Sequence, residues 1–233
     1  MIWIALVGML AVVAAAVVIA RRQGGGWWRY LLAGAAGWVV AQAVKGVILA
    51  PATVGAMHQG GATAVAHMAA QWWFLIVAAL LPGVVEELGK YVPLRWMHVE
   101  GRGAALALGL GAGALEALAI AASLAAVAGG GPHGETLAAA FIAVWERFWA
   151  VALHAGLATL AGLAVVQRRI RWLLLAMGLH TAADLGAAWY QHAGAVGATA
   201  GAQHNALLVA ELAAAVAAII AWVWGKRAWA ARA

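Results

Sequence analysis

Cysteine is absent from the 233 residues, and charged side chains make up only 9% of them. The first absence excludes disulfide scaffolds, cysteine-ligated zinc and thiol catalysis, and it leaves the redox compartment silent. The second excludes an ordinary soluble domain, in which about a quarter of the residues are charged. Disorder, collagen and nucleic-acid binding go as well, because the formal charge of +6 comes with no basic face. What is present is apolar: 67% of the residues are hydrophobic and the mean hydropathy is +0.92. Glycine, at 29 residues, suits close helix packing in lipid. The chain therefore reads as an integral membrane protein, an all-α polytopic bundle surrounded by the lipid bilayer.

About 20 apolar residues cross the hydrocarbon core as a helix. Seven such stretches are predicted, roughly 2–20, 28–50, 66–92, 103–128, 136–166, 170–190 and 204–225, within one membrane domain covering 1–233. Segments 52–63, 129–134 and 193–202, rich in small residues, read as loops. No basic region precedes Ile2, so the first stretch reads as a transmembrane helix rather than a cleaved signal peptide. Eleven of the fourteen Lys and Arg residues fall in alternate connections: Arg21, Arg22 and Arg29; Arg95 and Arg102; Arg168, Arg169 and Arg171; Lys226, Arg227 and Arg232. The positive-inside rule then puts the N-terminus outside and the C-terminus in the cytoplasm, which an odd number of spans satisfies. Trp72, Trp73, Trp96 and Trp172, near span ends, read as interfacial anchors.

Polar groups inside the spans carry the functional information: Lys45, Glu86, Glu87, Lys90, Glu116, Glu146, Arg147, His154, His180, Asp184 and Glu211. A charge at mid-membrane costs roughly 2.5–3.5 kcal/mol, so these groups have to be paired or face a bundle interior. A rise of about 1.5 Å per residue, counted from the basic line, puts Glu86 and His180 about 14 Å deep, and Glu116, His154 and Asp184 about 20 Å deep. Four helices thus bring acids and imidazoles to one layer. Glu146 and Arg147 fall roughly 30 Å up and read as structural. Lys45 reads as snorkelling to the outer interface, and Glu211 as a helix–helix hydrogen bond. His58, His67, His98, His133, His192 and His204 sit in or near loops and read as solvated.

Local spacing sharpens this layer. Pro82 predicts a kink or break one turn before Glu86 and Glu87. The adjacent carboxylates repel, which favours one shared proton, and Lys90 lies one turn on to offset them. His180 and Asp184, at i and i+4, face the same way, as two ligands or a histidine with its orienting acid would. Ala105, Gly109, Gly113 and Ala117 form a small-residue stripe that admits a partner helix beside Glu116. The glycine run there is no nucleotide loop, since no strand precedes it. A single buried histidine is ordinarily a hydrogen-bonded packing residue; the convergence is what points to a site.

From the residues alone, two chemistries stay open. One is hydrolysis of a peptide bond by carboxylate-activated water, with imidazoles and acids holding zinc or stabilising an oxyanion. The other is a proton or cation path in a coupled transporter. A catalytically silent binding or immunity protein is the third possibility.

The motifs PGVVEELGKYVPLRW (82–96), GLGAGALEAL (109–118), WERFWAVALH (145–154) and LLLAMGLHTAADLGAAWYQ (173–191) occur in this order over seven spans. Together they resemble the YhfC family of intramembrane metalloproteases, within the superfamily of CAAX prenyl endopeptidases and bacteriocin-processing enzymes, with the PrsW-type proteases as a neighbouring branch. The resemblance implies an intramembrane metalloendopeptidase of a prokaryotic plasma membrane. Its substrate would be a membrane-embedded or membrane-associated protein. It also implies roles: Glu86 activates the attacking water with Glu87 as its partner, His154 and His180 are the motif histidines, and Asp184 holds the Asn/Asp position. Glu116 matches an additional glutamate, and Glu146–Arg147 an "ER" before the histidine. The catalytic set so implied is Glu86, Glu87, His154, His180 and Asp184, with Glu116, His154 and His180 as zinc ligands. Ala150, where the wider superfamily often has an aromatic, and Lys90, at the third rather than the fourth position after the pair, point away from prenyl-CAAX specificity.

Overall fold

The computed structural model describes residues 2–60, 68–128 and 137–232. Helices account for nearly all of them: α1 (Ile2–Arg21), α2 (Trp27–Gly60), α3 (Trp72–Trp96), α4 (Arg102–Ala128), α5 (Leu137–Gln167), α6 (Arg171–Ala195) and α7 (Ala200–Ala230). Six of the seven are long and apolar enough to cross a membrane; α6 is the exception. His180 and Asp184, which lower its hydropathy, are the reason.

Several boundaries differ from expectation: α3 runs from Trp72 to Trp96 instead of over 66–92, and the expected loop 193–202 narrows to 196–199. Segment 52–63 was expected to be a loop, yet α2 runs through Pro51 to Gly60. The Gly/Ala/Thr composition that resembles a loop in water is tolerated in a membrane helix. Likewise α3 continues unbroken through Pro82 and Pro93. Pro82 removes the hydrogen bond to the carbonyl of Ala78, and both residues line a polar cavity rather than lipid. The expected loop 129–134, with His67 and His133, lies outside the described residues. Helix ends are set locally. His98 and Arg168 adopt φ of 51° just beyond α3 and α5, the left-handed stop of a helix C-terminus. Between α6 and α7 Gly197 turns the chain at φ +69°, and Thr199 caps α7 by accepting a hydrogen bond from the Ala202 amide.

The core lies on α4 and α5. Of the residues in their most apolar stretches 67% and 72% are buried, against 17–28% in α1, α2, α3 and α7. The outer helices pack around this pair: α1 against both, α2 against α4 and α3, α6 between α3 and α7, and α7 along α5. Leu157, Leu160 and Leu163 of α5 meet Ala217, Ala218 and Ala221 of α7. Indole N–H groups of Trp222 and Trp229 donate to the Ala152 and Thr159 carbonyls of α5. Exposed Trp72 and Trp96 are at the ends of α3, whereas the Trp172 ring is partly buried and donates to Gln167.

Glycine sets the crossings that matter for the interior. The predicted small-residue stripe is the α4–α5 seam: a Cβ on Gly109 would lie 2.4 Å from the His154 carbonyl oxygen, and one on Gly113 2.8 Å from Val151 Cα. On the other flank a Cβ on Gly83 would stand 2.2 Å from Thr181 Oγ1 and 2.9 Å from the Thr181 amide, so α3 and α6 touch backbone to backbone beside His180. Such approach is what small residues permit between membrane helices.

Candidate metal centre

Glu86, Glu87, Lys90, His154 and His180 are all buried. The adjacent glutamates leave α3 in different directions, as successive positions about 100° apart must. Glu87 pairs with Lys90 one turn on and accepts from His180 Nδ1 at 2.7 Å. Glu86 instead turns toward α2: its Oε1 accepts from Lys45 Nζ at 2.5 Å and from Gln42 Nε2 at 3.2 Å. Each carboxylate has its own ammonium, so the single shared proton expected from their adjacency is not required.

With Oε1 so engaged, Glu86 Oε2 lies 3.8 Å from His154 Nε2 and 3.9 Å from His180 Nε2. The two imidazoles meet edge to face, with centroids 5.2 Å apart. Asp184 Oδ2 is 3.6 Å from His180 Nε2, on the rim. Glu116 reaches His154 Nε2 from α4 at 2.6 Å, and its other oxygen receives Arg147 Nη1 at 2.6 Å. Arg147 also donates to Glu146 at 2.5 Å. All the residues expected at the site from sequence are thus within one or two contacts of Glu86, His154 or His180.

Three readings change. Lys45 does not snorkel outward; it points inward onto Glu86. Arg147 is not peripheral, because its long side chain spans the depth that separates it from Glu116 and it lines the cavity. Glu211 lines the same cavity, and its Oε2 has no hydrogen-bond partner among the described residues. Lys45 and Gln42 are the contributors that sequence reasoning missed. Their signal was a polar pair at i and i+3 inside an apolar span.

These groups open on a cavity of about 430 Å³ between α2, α3, α4, α5, α6 and α7, within the range of small-molecule pockets. A Glu86 carboxylate oxygen and one ring nitrogen each of His154 and His180 lie within 4.8 Å of one another and could hold a metal ion. The donor set suits zinc, which takes imidazole nitrogen and carboxylate oxygen at about 2.0–2.1 Å and so spaces its ligands about 3.4 Å apart. Separations of 3.8 and 3.9 Å need only about half an ångström of closure to reach that spacing. His180 also has the carboxylate on its second ring nitrogen that orients metal-binding imidazoles. Glu116 Oε2 stands at hydrogen-bonding distance, 2.6 Å, from the same His154 Nε2, a contact that a metal ion on that nitrogen would replace.

A polytopic helical bundle with acids and imidazoles gathered in its interior defines a class, membrane proteins that hold a polar centre between their helices. Within that class the chain belongs to the YhfC intramembrane metalloprotease family, whose model matches residues 7–128 and 133–202. No curated protein and no solved structure matches it. Family membership implies a metal ion and a membrane-embedded substrate.

Proposed function

We propose that the protein is a zinc-dependent endopeptidase that hydrolyses a peptide bond of a membrane-embedded or juxtamembrane protein in a prokaryotic plasma membrane. The observation that carries this reading is Glu86 Oε2 standing at 3.8 and 3.9 Å from two imidazole nitrogens of separate helices. Glu86, His154 and His180 would hold the ion. Bound there, it supplies the positive charge that makes water acidic near neutral pH and offsets charge on the carbonyl oxygen.

The chain's own residues do the rest. Glu116 Oε2, adjacent to His154 Nε2, accepts the proton of the attacking water and returns it to the leaving amine. Arg147 neutralises Glu116 and fixes its direction. Glu87 locks the His180 ring through Nδ1, while Lys90 balances the buried Glu87 charge. Asp184 stands at the mouth, beside His180. The resemblance gives water activation to Glu86 and a ligand's place to Glu116; the spacing favours the reverse. In this reading the N-terminus is outside, and substrate enters from the cytoplasmic side or laterally from the inner leaflet.

The test compares wild type, Glu86→Gln, Glu116→Gln and a His154→Ala/His180→Ala double variant. Metal is measured by elemental analysis, and cleavage by mapping new N-termini in the membrane fraction. New termini near membrane boundaries only in wild-type cells, with zinc lost in Glu86→Gln and retained in Glu116→Gln, are expected. Zinc retained in Glu86→Gln and lost in Glu116→Gln would restore the roles implied by the resemblance. Identical termini in wild type and the double variant would end the protease reading.

A further inference from the structure

The mechanism just described uses Oε2 of Glu86 and leaves open what makes that oxygen, rather than its twin, face the imidazoles. A carboxylate turns easily about its last torsion, which is broad and roughly two-fold. Two donors remove this freedom. Lys45 Nζ at 2.5 Å and Gln42 Nε2 at 3.2 Å both end on Oε1, whereas Oε2 accepts no hydrogen bond among the described residues. Both donors come from α2, one turn apart, and both line the cavity. Their helix is held in register by a backbone crossing at Gly37, where a Cβ would lie 2.3 Å from the Gly89 carbonyl oxygen. Lys45 follows Gly37 by about 12 Å of helix.

We propose that Lys45, with Gln42, is a positioning residue: it holds Glu86 Oε1 so that Oε2 is presented to His154 and His180 as the third arm of the centre. This rests on the metalloprotease reading above. Lys45 is more than a counter-charge for a buried acid, because a counter-charge alone is indifferent to which oxygen it meets, and the uncharged Gln42 selects the same one. The arrangement is the carboxylate counterpart of Glu87 on His180: a partner outside the reacting set that fixes a member of it. Such partners typically contribute 10- to 100-fold to metal affinity.

The test uses the full chain in detergent micelles and needs no substrate. A lipid-soluble carbodiimide should join the Lys45 amine to the Glu86 carboxylate as an amide, seen by mass spectrometry as a cross-link between their two peptides. Cobalt(II) then serves as the probe, its visible absorption reporting affinity and ligand geometry. Lys45→Met should weaken cobalt binding by about tenfold or more and shift the band. Lys45→Arg should recover both, and Gln42→Leu, which keeps the ion pair, should show a smaller loss in the same direction. No cross-link, or cobalt binding in Lys45→Met equal to wild type, overturns the proposal and leaves the metal reading intact. A wild-type protein that cross-links but binds no cobalt removes the metal reading, and with it the positioning role, leaving Lys45 as a counter-ion only. If Lys45→Met does not fold, Gln42→Leu decides: unchanged affinity and band count against the proposal.

Discussion

Adding a side chain at Gly83 is the sharpest test of how the fold builds the centre. A Cβ there would lie 2.9 Å from the Thr181 amide nitrogen and 3.0 Å from the Met177 carbonyl oxygen, both backbone atoms that cannot rotate aside. Ordinary contact begins at 3.4 Å, so α3 and α6 have to part by about half an ångström for Gly83→Ala and by more for Gly83→Val. The His180 Nδ1–Glu87 bond, 2.7 Å long and one turn from the crossing, then lengthens to about 3.2 Å in Gly83→Ala, the outer edge of normal hydrogen-bonding distance, and beyond it in Gly83→Val. Overpacking costs about 1–3 kcal/mol of stability, and loss of an orienting partner costs about 10- to 100-fold in metal affinity. A misplacement of about 1 Å costs on the order of 100-fold in turnover. Chelator competition for zinc, with thermal unfolding in detergent, measures the first two. Gly178→Ala is the control, because nothing lies within 4 Å of a Cβ at that position of α6. Zinc affinity in Gly83→Val equal to that of Gly178→Ala would refute the claim that this crossing sets the centre.

Three further outcomes are expected. Arg147→Met leaves Glu116 and Glu146 without their shared cation and should destabilise the protein by about 3 kcal/mol or more, read as a fall in the detergent unfolding midpoint; Arg147→Lys should recover part of it. Asp184→Asn, at the rim, should keep zinc to within about tenfold, because only His180 touches it among the groups of the centre; complete metal loss in an equilibrium dialysis assay would make Asp184 a ligand. Reporter fusions at the C-terminus should be active only for a cytoplasmic reporter, and those in the α6–α7 turn only for an external one.

The seven helices were legible because the two quantities that decide them, apolar length and the placement of arginine, are local. So was the α4–α5 seam, since Gly109 and Gly113 sit at helical spacing and only a close neighbour needs them there. Depth counting brought Glu86, Glu116, His154 and His180 together correctly because each has a short or rigid reach. It failed for Arg147 and Lys45, whose long stems can point up or down the membrane normal by several ångströms; sequence gives their anchor and not their heading. Glu86 and Glu87 were read as a pair because they are adjacent. Their separation onto Lys45 and Lys90 depends on where α2 and α6 lie around α3, which no local pattern encodes.

The modest hydropathy of α6 has a consequence for biogenesis. A helix carrying His180 and Asp184 partitions poorly into lipid by itself, whereas α7, packed against it, is apolar enough to cross a membrane. Insertion of α6 is then favoured as a hairpin with α7 rather than as a single span. Until that hairpin is in place His180 cannot join Glu86 of α3 and His154 of α5, so the cluster of imidazoles and carboxylates forms only once α6 has been inserted.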